Sequence, residues 1–347
     1  MIRPDAQRLL ATLHELLLID SPVGDTAAIE ADMMQRLAAF PCRISQGARG
    51  NISAVWGEGE PRRAIAAHMD TLGAMVQSVR ANGRPELTPL GTWSARFAEG
   101  ARATVRTTQG EIRGTIVPLL ASGHAYNDDV DQQPVGWHQV ELRLDAPIAS
   151  REDAAALGVQ PGDIVCIDPQ PELLPNGYLV SRFLDNKAAL ACVLEALHGL
   201  EDAGLTPAVP VCFALTNAEE TGHGAGTMLP RSVQDLISVD IAPVAPNQAS
   251  DERRATLGFK DASGPHSAGL LAQLEALAKA ADIPLVRDVF RYYHSDCSSA
   301  LKAGHDTRTA LLGFGTESTH GYERTHTDSL LAVTGLLMAW LLSPGAD

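Results

Sequence analysis

Six residues of this chain combine acid–base or metal-ligating side chains with positions where strands end. His68 and Asp70 close the apolar run Ala64-Ile65-Ala66-Ala67 as His-Met-Asp, and Asp185 stands where a segment turns into a helix. Glu219 and Glu220 follow a strand over 209–215, and Asp240 ends the next, Leu236 to Val239. In an open α/β sheet, ligands bind beyond the carboxyl ends of the strands, so groups far apart in sequence can converge on one crevice. Carboxylate oxygens mixed with neutral imidazole nitrogens suit Zn²⁺, Co²⁺ or Mn²⁺, and a bridging carboxylate can hold two ions together. Two adjacent glutamates point in different directions. One can ligate a metal while the other takes the proton from metal-bound water. Each feature alone is weak, since a Glu-Glu pair is most often a solvated surface; their shared position at strand ends is what gives them weight.

The elements that must position these groups are legible in outline. Leu9, Leu10, Leu13, Leu16 and Leu17 recur at helical spacing over 6–19, and a second helix runs over 26–40 behind the Ser21-Pro22 and Gly24-Asp25 breakers. Strand-like segments at 52–56 and 64–68 follow, the second an apolar run typical of a buried parallel strand. From Thr71 to Gly162 short β-prone runs at 101–107, 114–119 and 139–144 are separated by Gly, Pro and Asn, which predicts a small separate β unit. Beyond 163 strands and helices alternate: helix 186–201, strands 209–215 and 236–239, helix 264–281, strand 285–290, helix 297–303, strand 309–314 and a final helix through Leu342. That rhythm predicts an α/β fold, a mostly parallel sheet covered by helices on both faces, with an inserted β domain.

Composition narrows the function. The 347 residues carry 27 Lys and Arg against 42 Asp and Glu, a formal charge of −15. That excess disfavours nucleic acid, whose affinity comes mostly from cations neutralising phosphates, and disfavours an anionic membrane surface for the same reason. The five cysteines (Cys42, Cys166, Cys192, Cys212, Cys297) are odd in number with no CxxC pair, which fits reduced thiols. The first twenty residues lack the long apolar core of a signal peptide, and the apolar stretch Leu330 to Leu342 falls short of the ~20 residues needed to span a bilayer. A cytoplasmic location is the expectation.

Read together, His-Met-Asp-x-x-Gly (His68 to Gly73), Leu-Asp-Asn-Lys-Ala (Leu184 to Ala188), Glu-Glu-x-Gly (Glu219 to Gly222), Val-Asp-Ile (Val239 to Ile241) and a late His after a Tyr resemble the M42 metallopeptidases, the glutamyl and tetrahedral aminopeptidases. The resemblance spans essentially the whole chain, including Ile112 to Ile116 and Leu157 to Asp163, which bound the β-rich insertion. It implies a zinc-peptidase-like catalytic domain formed by 1–70 and 163–347, interrupted by a PDZ-like domain at 71–162 that serves oligomerisation, commonly into a dodecamer. Two divalent ions per subunit are implied, Zn²⁺ ahead of Co²⁺ or Mn²⁺. Carried over by position, His68 and Asp240 hold one metal, Asp185 bridges, and Glu220 and His326 hold the second. Glu219 is the general base and Asp70 the carboxylate that orients His68. His320 is the alternative to His326, because the two histidines flank Gly-Tyr-Glu-Arg-Thr.

One departure stands out. The family's Leu-Asp-Asp becomes Asp185-Asn186 here, which removes a charge beside the site. The runs Ser94 to Arg102, Leu119 to Ala125, Asp240 to Pro246 and Thr319 to His326 also resemble a branch associated with the osmolyte N-acetylglutaminylglutamine amide. The expected activity is therefore metal-dependent cleavage of short peptides, foremost as an aminopeptidase. The alternatives are an amidohydrolase for an N-acylated amino acid or capped dipeptide, and, further off, a non-catalytic binding protein of the same fold. Of the remaining histidines, His223 is the one placed to line a substrate pocket, and Arg291 to Asp296 is a second candidate wall.

Overall fold

A computed structural model describes residues 2–345 and divides the chain into two compact units. The first comprises residues up to Ile19, Thr26–Asp70 and everything from Gln170 onward. The second comprises Asp20–Asp25 and Thr71–Pro169.

The first unit is built on a twelve-stranded sheet among the described residues, with four parallel strands at its centre in the order Val211–Thr216, Arg63–His68, Asp235–Val244 and Arg308–Glu317. Antiparallel strands extend it on both sides: Cys42–Gln46 and Ile52–Trp56 on one, and Glu323–His326, Tyr178–Ser181 and Glu172–Leu173 on the other. Ala255–Asp261 pairs antiparallel with Arg308–Glu317 and parallel with Leu285–Val289.

Every residue of Arg63–His68 and Val211–Thr216 is buried, because the sheet is covered on both faces. Alternate residues separate the two faces. Ile65, Ala67, Phe213 and Leu215 point into the main core, while Ala64, Ala66, Cys212 and Ala214 meet Ala225, Leu229, Cys297 and Ala300 in a smaller one. The main core is centred on the helix Leu184–Asp202, which is apolar nearly all round, as an enclosed helix must be, and packs against helices Ala6–Leu17 and Thr327–Leu342. Asp185 at the start of that helix is therefore carried into the interior rather than onto the surface.

The second unit is a six-stranded antiparallel sheet in the order Pro85–Leu90, Gly73–Val79, Ile164–Ile167, Arg102–Thr107, Gly110–Pro118 and Val140–Leu144. Here the structure differs from the boundary expected at residue 162. Ile164–Ile167 pairs with Gly73–Val79 and with Arg102–Thr107, so this apolar tetrapeptide is a central strand of the small sheet and not the first of the large one. Its pattern alone fits either place, because a strand buried on both sides is apolar throughout in either sheet. Among the described residues no helix is long and apolar enough to cross a membrane.

Candidate metal centre

Strand register explains why four of the six residues meet. Thr216 pairs with His68, and Ser238 pairs with Ala66, so His68 and the strand leading to Glu219 end at one level of the sheet. Asp240 reaches that level inside a strand that continues beside Arg308–Glu317 to Val244 rather than ending at Val239 as expected. After Thr216 the chain reverses through Ala218, at φ 62°, and the turn is held from outside: Asn217 N–H donates to Asn51 Oδ1 (2.7 Å) and its side-chain amide to Glu30 Oε1 (2.7 Å). Gly222 closes the turn at φ 81°, a left-handed conformation in which a side chain is strained. The two glutamates are thereby presented on a short helical turn, Glu219–Thr221.

At the centre, His68 Nε2 lies 3.0 Å from Asp185 Oδ1, 4.0 Å from Asp240 Oδ1 and 4.0 Å from Glu219 Oε2. His68 and Asp240 are almost completely buried and Asp185 nearly so. Two groups have the spacing of a cation's ligands, with all their donor atoms within 4.8 Å of one another: His68, Asp185 and Asp240, and Asp185, Glu220 and His320. Asp185 belongs to both.

The imidazole that joins Glu220 is thus His320, and the assignment of His326 is corrected. His320 Nε2 lies 3.4 Å from Asp185 Oδ2 and 3.6 Å from Glu220 Oε2. His326 ends a strand paired with Tyr178–Ser181, where its Nδ1 accepts the Asp328 N–H (3.0 Å) and its Nε2 donates to the Asn176 carbonyl (3.1 Å). Both ring nitrogens are spent on capping the helix Thr327–Leu342 and on holding the preceding loop. His326→Ala is accordingly expected to lower unfolding stability by about 1 kcal/mol, a typical cap loss, with cation content unchanged. His320→Ala is expected to lose bound cation and turnover. Denaturant titration and elemental analysis of both variants check this pair, and cation loss in His326→Ala alone would reverse the assignment.

Asp70 also acts differently from the expectation. His68 Nδ1 donates to the backbone carbonyl of Asp70 at 2.9 Å, while the nearer carboxylate oxygen is 3.7 Å away. The fully buried carboxylate instead accepts the backbone N–H groups of Glu219 and Glu220, each at 3.2 Å. Asp70 therefore fixes the glutamate turn with its side chain and the His68 ring with its main chain. Asn186 has a similarly local role, its amide donating to the Val239 carbonyl (2.8 Å) in the strand that carries Asp240.

Two further buried acids lie at the site, neither of them assigned a role from the sequence, although Asp296 ends the candidate wall Arg291 to Asp296 and Glu323 falls within Thr319 to His326. Asp296 accepts from Thr216 Oγ1 (2.7 Å) and from the Ala225 N–H (2.6 Å). Glu323 accepts the Asp185 N–H at 3.0 Å and the His320 N–H at 2.9 Å. His223 is exposed beside Thr221, and His294 is exposed beside Ser263; neither belongs to the two ligand groups.

The electrostatics are those of excess negative charge in a dry place. Burial pushes the Glu220 carboxyl up to about 8, with Asp185 adding to it against the pull of His320. Burial and the Asp185 charge push Asp240 up to about 8. Burial, opposed by His68 and reinforced by Asp240, Asp296 and Glu220, holds Glu219 well above the usual carboxylate range. Burial would lower both imidazoles, yet they are raised: His68 by its hydrogen bond to Asp185 and by the Asp70 and Asp240 charges, and His320 to about 11 by Glu220 and Asp185. Asp185, between the two rings, is held below the usual range although burial opposes this. Glu220 Oε1 is buried with no hydrogen-bond partner. A cluster with this much like charge and an unsatisfied buried oxygen fits divalent cations.

Comparison with known proteins agrees with the geometry. Residues 50–336 match the M42 glutamyl aminopeptidase family. The provisionally named aminopeptidase YhfE of Bacillus subtilis (strain 168) is 33% identical over 341 residues, covering 97% of this chain and 98% of its own. The glutamyl aminopeptidase of Lactococcus lactis subsp. cremoris (strain MG1363) is 29% identical over 215 residues, 59% of this chain and 58% of its own. The fold matches the Pyrococcus horikoshii TET1 peptidase with a TM-score of 0.85 at 23% identity, covering 96% of this chain and 99% of that one. The chain belongs to the M42 family of aminopeptidases and is a peptide hydrolase.

Proposed function

We propose that this protein is an aminopeptidase that holds two divalent cations, Zn²⁺ foremost, and cleaves short peptides with Glu219 as general base. The observation that carries the reading is the pair of ligand groups sharing Asp185: His68, Asp185 and Asp240 on one side, and Asp185, Glu220 and His320 on the other. When bound, such cations polarise the scissile carbonyl and make water a stronger acid.

The chain's own residues account for the rest. Glu219 stands outside both ligand groups, so its carboxylate is free for proton transfer. Its Oε2, 4.0 Å from His68 Nε2, faces the same centre as the ligands. It takes a proton from water as the oxygen attacks the peptide carbonyl, and returns that proton to the amine as the C–N bond breaks, so one water is consumed per bond cleaved. Glu219, held above the usual carboxylate range by burial and neighbouring acids, would be ionised as a base requires once cations held by His68, Asp185, Asp240, Glu220 and His320 offset that charge. Asp70 keeps the base in place through the Glu219 and Glu220 amides.

The TET1 peptidase of P. horikoshii is described as assembling into a tetrahedron or a large octahedral shell. We place a homo-oligomer, with a dodecamer as its expected form, alongside this activity, with the Thr71–Pro169 unit as its expected assembly element. The test is a chelator-controlled assay of free-amine aminoacyl substrates against N-acetylated dipeptides, with Zn²⁺, Co²⁺ or Mn²⁺ added back. Turnover of free-amine substrates that vanishes on chelation and returns with metal is expected. Faster turnover of the acetylated series would make the enzyme an amidohydrolase, and chelator-insensitive activity would remove the cations from the mechanism.

A further inference from the structure

Glu323 is 1% exposed, yet no step of peptide hydrolysis requires it. One carboxylate oxygen accepts the N–H of Asp185, the residue shared by both ligand groups, and the other accepts the N–H of His320, the imidazole of the second group. The two segments it joins are remote from each other in sequence. Asp185 opens the helix Leu184–Asp202, whereas His320 sits in the connection between strands Arg308–Glu317 and Glu323–His326. That connection needs an outside restraint. Ser318 and His320 both have positive φ, 58° and 62°, a region that side-chain-bearing residues seldom occupy. Glu323 can supply the restraint because its own backbone is fixed in the sheet, where it pairs with Ser181.

Resting on the two-cation reading, we propose that Glu323 is a positioning residue: a single buried carboxylate that clamps the backbones of Asp185 and His320 so that their side chains meet one cation. It does so without ligating, since both oxygens are committed to backbone N–H groups. A carboxylate held between two N–H donors has a length requirement as well as a charge. Shortening it by one methylene breaks the clamp while keeping the charge, and amidation breaks it because an NH₂ group then faces an N–H.

The experiment titrates Zn²⁺ and Co²⁺ into chelator-stripped full-length Glu323→Asp and Glu323→Gln against a chromophoric competitor. Both variants are expected to bind cation about 10–100-fold more weakly, as is usual when a group supporting a metal ligand is lost. Both should also show reduced kcat with KM near wild type, and recover turnover in excess metal. Wild-type affinity in both variants overturns the proposal. Wild-type affinity in Glu323→Asp with weak binding in Glu323→Gln also overturns it, because charge alone then suffices. Should the variants fail to fold, hydrogen exchange at the Asp185 and His320 amides of stripped wild-type protein decides: slow exchange supports the clamp and fast exchange refutes it. That readout stands whether or not the wild-type protein binds two cations, so failure of the clamp and failure of the two-cation reading are separable.

Discussion

Glu219→Gln is expected to lower kcat by ~10²–10⁴, the usual contribution of a positioned general base, while leaving cation content and KM near wild type. The substitution keeps side-chain size and leaves the Glu219 N–H on Asp70, so the turn that presents Glu220 stays in place. Glu219 lies outside both ligand groups, which is why metal should be retained. Steady-state kinetics beside elemental analysis of the same preparation separates the two effects. Loss of metal in parallel with activity would make Glu219 a ligand instead of a base.

Asp185→Asn is expected to act through the cations. The side chain is within reach of both imidazoles, at 3.0 Å from His68 and 3.4 Å from His320, and each oxygen faces a different one. The amide keeps one acceptor and loses the charge, so affinity should fall by more than the roughly 10–100-fold typical of removing a group behind a ligand, and activity should fall with occupancy. Excess metal should restore part of the activity, in contrast to Glu219→Gln, where no metal concentration replaces the base. A variant that holds its cations as tightly as wild type but turns over slowly would remove Asp185 from the shared position.

Sequence pattern carried most of the centre because of one rule: His68, Asp70, Glu219 and Glu220 stand at or just beyond the carboxyl ends of two adjacent parallel strands, and parallel register brings those ends to the level of Asp240, which lies inside the longer strand Asp235–Val244. What it did not carry depended on local geometry or on distance along the chain. His320 and His326 are six residues apart with acid and tyrosine between them, so composition cannot rank them. The structure does, because a strand advances about 3.3 Å per residue: Glu323–His326 carries His326 some 10 Å beyond Glu323, to the start of the last helix. The roles of Glu323 and Asp296 depend on partners 138 and 80 residues away, so the short runs that contain them do not reveal what the two acids hold. The orientation of the Asp70 carboxylate was hidden for a related reason. A His-x-Asp spacing fits a carboxylate on the imidazole, and the alternative appears only when the Glu219-Glu220 turn is folded against it. In the fold, the helices and central strands followed from periodicity, while Ile164–Ile167 was assigned across a boundary because its four apolar residues suit either sheet.

The central claim is that one carboxylate serves two cation positions, and counting bound metal tests it most directly. Elemental analysis of the full-length protein, reconstituted with Zn²⁺ and passed through a desalting column, is predicted to give two ions per chain in the wild type, one in His320→Ala, and fewer than one in Asp185→Asn. One ion or none in fully active wild-type protein, or an Asp185→Asn variant that still carries two, would contradict it.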